Sequence, residues 1–386
     1  MFPALSPDMA EHSARVAAAV RARIQAGNGW LAFDEYLRLV LYAPGLGYYS
    51  AGAEKFGPGG DYVTAPEISA LFGHGIARQC AQVLEVSGGG VLELGAGSGA
   101  LAESILMCLQ EMQCLPAHYD ILEISADLRQ RQQQRLAALP ASLRACIRWL
   151  DALPTQPVSG VILANEVADA LPFKRFVIGA DAVLERGVGL SPSGHLIEFD
   201  RAADVLLSRE ITRIATDLPD AWTPGLRSEV CLLIEPWIAA LSAALARGTL
   251  LLVDYGSCRR EYYHPQRAQG TVRCHFRHRA HDDVLLYPGL QDITAWVDFT
   301  RVAEAATAAG LTVSGYATQA AFLLANGIEQ ELASVAAPVE HAKLASQARM
   351  LLLPGEMGES FKVIALTRGV DAPLRGFAYQ DLRGRL

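Results

Sequence analysis

Between residues 91 and 254 the chain repeats one pattern: a short apolar run, a polar stretch at helical spacing, then another apolar run. Residues 91–94, 119–123, 147–150, 161–164 and 249–254 are too short for buried helices, and their apolar content is nearly continuous, so they read as buried strands. With helical segments between most of them, they predict a parallel sheet covered by helices on both faces. Farther along, FTRVAEAATAAG, LTVSGYATQ and ESFKVIALT predict a helix followed by two more strands. Before the alternation, residues 9–26 are Ala-rich with helical spacing and stop at Gly27, Asn28 and Gly29. A second helix over residues 33–41 precedes the loop APGLGYYS, and GPGGDYVTAPEISALFG leads into a helix from about Pro66. PFKRFVIGADAVLERGVGLSPSGHLIEFD breaks the pattern: three alternating runs with Gly- and Ser-bearing turns predict an antiparallel meander inserted after the fourth strand. The expected fold is α/β, with an N-terminal helical segment over residues 1–85, a first core half over 86–172, a β-rich insertion over 173–227 and a second core half over 228–386.

Composition narrows the function classes. With 51% hydrophobic residues in 386, the chain can bury a full core, and a net charge of -8 disfavours a general nucleic-acid or anionic-membrane surface. The most apolar window, residues 231–255, is broken by Glu235, Pro236, Arg247 and Gly248, so it reads as a helix and a buried strand and not as a membrane span. Seven scattered cysteines without a C-x-x-C pair predict reduced thiols in a cytoplasmic protein and no structural zinc. Near the N-terminus, Arg15, Arg21 and Arg23 are mixed with Asp8 and Glu11, and no apolar stretch follows, so no targeting sequence is expected.

Three polar groups end the apolar run of GVILANEVADALP: Asn165, Glu166 and Asp169. They can terminate a strand, yet the C-terminal edge of a strand in such a sheet is also where ligands sit. VLELGAGSGAL passes from strand to helix through Gly95, Gly97 and Gly99, which lets backbone N–H groups and a helix N-terminus approach a ligand. The spacing Gly95-x-Gly97-x-x-Ala100 also satisfies the dinucleotide pattern, so the glycines alone do not choose between ligands. The acids do: Glu93 in the first strand can reach an ammonium group, Glu123 at the end of the second can accept bonds from two ribose hydroxyls, and Asp151 after the third falls near an adenine amino group. A nucleoside ligand accounts for all three positions.

E-x-G-x-G-x-G with an acid at the end of the second strand resembles the class I S-adenosylmethionine-dependent methyltransferases, and more closely the MidA-like family, which includes the mitochondrial complex I assembly methyltransferase acting on protein arginine. The likeness extends over GLGYYS, GDYVTAPEISALFG, NEVADALPFKRF, LLVDYG, GTVRC, HRAHDD, QDITAWVDFT, TQAAFLLANGI and GEMGESFKV; Val167 and Ala168 depart from it, standing where relatives often carry aromatic residues. It implies a seven-stranded Rossmann-like methyltransferase sheet with an N-terminal lid, and S-adenosylmethionine held by Glu93, Gly95, Gly97, Gly99, Glu123, Ile124, Asp151 and Ala152, with Asp61 and Thr64 from the lid. It also implies a protein arginine as methyl acceptor, a respiratory-complex subunit being one candidate, with Asn165, Glu166 and Asp169 as the catalytic group; a homodimer is compatible with it. Such an acceptor needs carboxylates, because guanidinium keeps its proton at ordinary pH.

The segment GSCRREYYHPQRAQGTVRCHFRHRAHDD offers a competing reading, since arginines interleaved with aromatics suit RNA and His275, His278 and His281 suggest a metal. No cysteine pair or carboxylate stands at ligand spacing, so no metal is expected, and the segment reads as part of an active-site loop over residues 257–298. The alternatives to protein arginine methylation are an RNA or small-molecule methyltransferase, or a cofactor-binding assembly factor with little turnover.

Overall fold

The computed structural model describes residues 4–50, 64–218 and 220–386. Its largest sheet is built from Gly90–Leu94 (β1), Tyr119–Leu122 (β2), Ile147–Leu150 (β3), Val158–Asn165 (β4), Leu245–Ser257 (β5), Thr312–Thr318 (β6) and Phe361–Arg368 (β7). Their order across the sheet is β6-β7-β5-β4-β1-β2-β3, parallel except for β7, which runs antiparallel to both neighbours. An eighth, two-residue strand, Val297–Asp298, adds in parallel to the end of β5, so the sheet has eight strands and not the expected seven. Two residues carry no periodicity, which is why this addition is invisible in the sequence.

Near-continuous apolar runs are what a sheet covered on both faces requires, and successive side chains alternate between its two cores. Val91, Val161, Leu163, Leu251 and Val253 join one core, against Ala70–Ser87 (α1) and Ala100–Glu111 (α2). Their neighbours Leu92, Ile162, Ala164, Leu250 and Leu252 join the other, against helices Ile234–Ala244 and Phe299–Ala308. Helix α1 starts where the Ser69 hydroxyl accepts the Leu71 amide, and it buries Leu71, Phe72, Ile76, Cys80 and Val83 along one stripe. The chain reverses its progress across the sheet between β1 and β4, and that switch point opens a crevice at the carboxyl ends of both strands.

The predicted meander is present as Lys174–Ile178, Val183–Leu190 and Leu196–Ala202, with two further strands in the same sheet: Trp30–Ala32 from the N-terminal segment and Arg227–Val230. Both are short, and Arg227–Val230 straddles the boundary drawn at residue 227. The N-terminal segment is thereby stitched to the insertion: Trp30 to Ala32 pair with Gly189 to Gly187. Its second helix turns at Arg38–Tyr42 into a wider π-type turn, which carries Tyr42 towards the crevice. Among the described residues no helix is long and apolar enough to cross a membrane.

Candidate functional site

The crevice at the switch point is a cavity of about 720 Å³. Its floor is the turn from β1 into α2, where Gly95, Gly97 and Gly99 have φ of 61°, 54° and 85°. These are left-handed conformations that residues with a Cβ resist, so the glycines are required by the backbone as well as by any ligand. Glu93 is almost fully buried in β1 and faces the cavity, accepting a hydrogen bond from the Tyr119 hydroxyl at 2.8 Å. Burial pushes its pKa up to about 7, with the Tyr119 bond opposing the shift and the Glu123 charge adding to it.

Glu123, just past the end of β2, accepts the Ser125 amide at 2.8 Å on one oxygen and the Gln132 side-chain amide at 2.9 Å on the other. Ile124 projects beside it and is 78% exposed, an apolar side chain at the cavity mouth. Thr64 and Pro66 line the other side. The turn Ala65–Ile68 that they begin is tied to the glycine loop, because Glu67 accepts from Ser98 and from Arg135 Nη1, which also donates to Ser98 at 2.8 Å. Asp61 lies outside the described residues.

Asp151 and Ala152 do not line the cavity. The Asp151 side chain is 89% exposed and ion-paired to Arg129 at 2.8 Å, and the same arginine donates to the Leu150 carbonyl. Asp151 directly follows β3 as expected, but Leu153 and not Asp151 lines the cavity wall. The acid expected beside an adenine amino group thus faces water in this structure.

At the inner end of the cavity β4 delivers Asn165 and Glu166. Glu166 has φ 54°, a strained conformation for a residue with a side chain, of the kind that clusters at functional sites. Its amide donates to the Val253 carbonyl at 2.9 Å and its carboxylate accepts from Asn165 Nδ2 at 3.2 Å. Asp254 at the end of β5 sets this turn: one oxygen accepts the amides of Ala168 and Asp169 at 3.0 and 3.2 Å, and the other accepts the Tyr255 amide. Pinned in that way, Asp169 points away from the cavity into the layer behind it, beside Tyr255. The sequence grouped Asp169 with Asn165 and Glu166 at the cavity; the turn separates it from them.

The acids nevertheless act on one another. Burial and the charges of Asp254 and Asp292 raise the Glu166 pKa to about 8, although the Asn165 side chain and the Ala65 amide pull it down. Burial and the charges of Asp254, Asp292 and Glu166 push Asp169 well up, and burial brings Asp254 to about 7 against the amides it accepts. Tyr49 at the cavity wall donates to Asp292 at 2.6 Å, and Tyr42, its ring centroid 5.3 Å away, donates to the Ala170 carbonyl. Among the described residues, Asn165 Oδ1 and Asp169 Oδ1 have no hydrogen-bond partner. Buried acids that suppress each other's ionisation form a place where a cation is favoured.

Glu166 releases its proton at about 8 in the fold and at 4.5 in an unfolded chain. Its contribution therefore favours the fold fully below pH 4.5 and is lost as the pH rises through 8. Glu166→Gln removes that dependence. Relative to the wild type, the variant should gain stability between pH 5 and 8 by on the order of 2 kcal/mol, allowing for water that reaches this partly exposed group. Denaturant titrations at a series of pH values check it, and a constant difference would contradict the raised pKa.

Several site residues were not singled out from the sequence: Tyr42, Tyr49, Gln132, Leu153, Trp237, Asp254 and Asp292. Tyr49, Asp254 and Asp292 lie in GLGYYS, LLVDYG and QDITAW. An acid within the last residues of β5 resembles the signal that marked Glu123 after β2. Gln132 and Trp237 lie within ordinary helical patterns and gave none.

The family of S-adenosyl-L-methionine-dependent methyltransferases matches residues 75–317, which include the glycine loop, Glu123, Glu166 and Asp254. This chain belongs to that family. It is an S-adenosylmethionine-dependent methyltransferase, and a protein of Burkholderia thailandensis solved with S-adenosyl-homocysteine bound shares its fold over 100% of both chains, with a TM-score of 0.94 and 42% identity. Curated relatives include the mitochondrial protein arginine methyltransferase NDUFAF7 of Danio rerio, 29% identical over 88% of this chain and 84% of that protein. The corresponding Homo sapiens protein is 28% identical over 88% of this chain and 80% of its own length. These relatives are named mitochondrial, which overturns the cytoplasmic placement drawn from cysteine usage. Free thiols mark any reducing compartment and cannot choose among them.

The residues present fit the cofactor of this methyltransferase family: a left-handed glycine turn, a buried carboxylate in Glu93 and a second in Glu123 border one cavity. Of the arginines in the 257–298 segment Arg259 alone is buried, paired with Glu304 and Asp298. Arg260, Arg267, Arg273, Arg277 and Arg279 are exposed, with Arg273 paired to Asp282 and Arg267 4.1 Å over the Trp296 ring.

Proposed function

We propose that this methyltransferase acts on an arginine side chain of a protein substrate. The observation that carries the reading is the position of Glu166 lining the cavity, where burial, with the charges of Asp254 and Asp292 adding to it, raises its pKa to about 8. A guanidinium cation relieves the mutual repulsion of these acids, and its planar fork matches a carboxylate. The names of the curated relatives support the same acceptor.

In this reading Glu93 holds the cofactor's ammonium group, Glu123 accepts from the ribose hydroxyls, and Gly95, Gly97 and Gly99 admit the ligand against the backbone, with Thr64 and Ile124 at its flanks. Asp61 is assigned to the same lid by resemblance alone. S-adenosylmethionine supplies the electrophilic methyl group. Glu166 holds the acceptor guanidinium by one face, fixes the distal nitrogen in line and takes up the proton that nitrogen sheds. Asn165, donating to Glu166 at 3.2 Å, sets the carboxylate's orientation. Asp169 acts from behind by raising the energy of the uncompensated acid cluster, and Asp254 holds the turn in register.

Only the ionised Glu166 can grip the cation, so kcat/KM should rise with pH through about 8 in the wild type. The Glu166→Gln variant should lose that rise. An unchanged profile in the variant would assign the ionisation to another group and remove the carboxylate from the chemistry.

Binding and chemistry should also separate. Glu123→Ala is expected to weaken S-adenosylmethionine affinity by roughly 1–3 kcal/mol, the scale of a hydrogen bond to a charged group. Asn165→Ala should leave that affinity within about twofold, because Asn165 meets the acceptor and not the ribose. Calorimetric affinities that fell equally in both variants would contradict the division.

A further inference from the structure

Gln132 is fully buried in helix Ala126–Leu136 and does not itself line the cavity. Its side-chain nitrogen donates to the Gly97 carbonyl at 3.0 Å and to Glu123 Oε2 at 2.9 Å, and its oxygen accepts from Trp149 Nε1 at 3.0 Å. One amide thus joins the glycine loop, the acid after β2 and the strand β3. Its orientation is determined by chemistry, since an indole N–H can only donate. The amide oxygen must face Trp149, and both amide hydrogens must face the loop carbonyl and the carboxylate.

We propose that Gln132 is a positioning residue for the cofactor: it locks Glu123 and the Gly97 carbonyl in one geometry, and so fixes the carboxylate that meets the ribose diol. The proposal rests on the assignment of Glu123 to the ribose made above. The Ser125 amide fixes Oε1 and the Gln132 amide fixes Oε2, so the carboxylate plane cannot rotate freely. A ligand then meets an acceptor already oriented, and little ordering remains to be done on binding. The nearest contact that a Cβ on Gly99 would make is also Gln132, at 3.5 Å, so the residue supports the turn along its length.

The test is a double-mutant cycle on S-adenosyl-homocysteine affinity, measured by calorimetry with the full chain. Gln132→Met keeps the volume and removes the donors and the acceptor. It should weaken binding about tenfold beside Glu123 and less than about twofold in the Glu123→Ala background, since a residue acting through Glu123 has nothing left to orient. Trp149→Phe, which removes only the donor that fixes the amide, should weaken binding about threefold with the same dependence on Glu123, and it serves if Gln132→Met does not fold. Equal losses in both backgrounds would mean that Gln132 merely supports the fold, and would overturn the proposal while leaving the ribose assignment standing. Wild-type affinity in Gln132→Met would overturn it as well. Wild-type affinity in Glu123→Ala would instead sink the ribose assignment, and the amide's route through it.

Discussion

Glu166→Gln is expected to lower turnover at least ~100-fold while leaving S-adenosylmethionine affinity nearly unchanged. The substitution keeps the side chain's size and one acceptor oxygen, and it removes the charge that grips the guanidinium and receives its proton. Neutral Gln cannot be driven into that role by pH, so the loss should persist up to pH 9, above the value of about 8 at which the carboxyl ionises. Asp169→Asn should fall much less, because its side chain lies behind the cavity wall and acts on Glu166 through charge. Single-turnover rates with cofactor affinity measured in parallel make the comparison. Equal large losses in both variants would place Asp169 at the acceptor, and no loss in either would reduce the cluster to a strand terminator.

Gly97→Val should abolish detectable cofactor binding, an affinity loss of more than ~100-fold. Gly97 has φ 54°, where a β-branched residue is strained, and its added methyl groups would enter the space that the loop keeps open. Its carbonyl is also the one held by Gln132, so a shift of the loop to relieve the strain breaks that bond. Stability should fall by only ~1–2 kcal/mol, the cost of one left-handed residue, so the folded protein remains available for titration. Retained S-adenosyl-homocysteine affinity in a folded variant would contradict the placement of the loop against the ligand.

The parts of this protein that the sequence revealed are those governed by local rules. Continuous apolar runs located β1 to β5, alternation located the meander, and glycines at required left-handed positions located the loop. Position after a strand located Glu123 and Glu166, since a strand fixes where its last side chains go. It also located Asp151 directly after β3, but not the direction of its side chain, which pairs with Arg129 and faces water. It did not show that Asp169 leaves the cavity lined by Asn165 and Glu166, because its turn is set by Asp254, 85 residues away in the chain. Gln132 was illegible for the same reason: its three partners lie 9 to 35 residues off, and nothing in a polar helix marks which amide will be buried between them. Trp30–Ala32 and Arg227–Val230 were missed because a strand of three or four residues is too short to show a period.

The most direct test of the acceptor is to find where the methyl group goes. Purified protein is incubated with methyl-labelled S-adenosylmethionine and an extract of its own cells, and the labelled product is digested and located by mass spectrometry. The account predicts label on an arginine side-chain nitrogen of a protein, present with the wild type and lost with Glu166→Gln. Label on a nucleotide base, on lysine or on a small molecule, transferred equally well by Glu166→Gln, would contradict it.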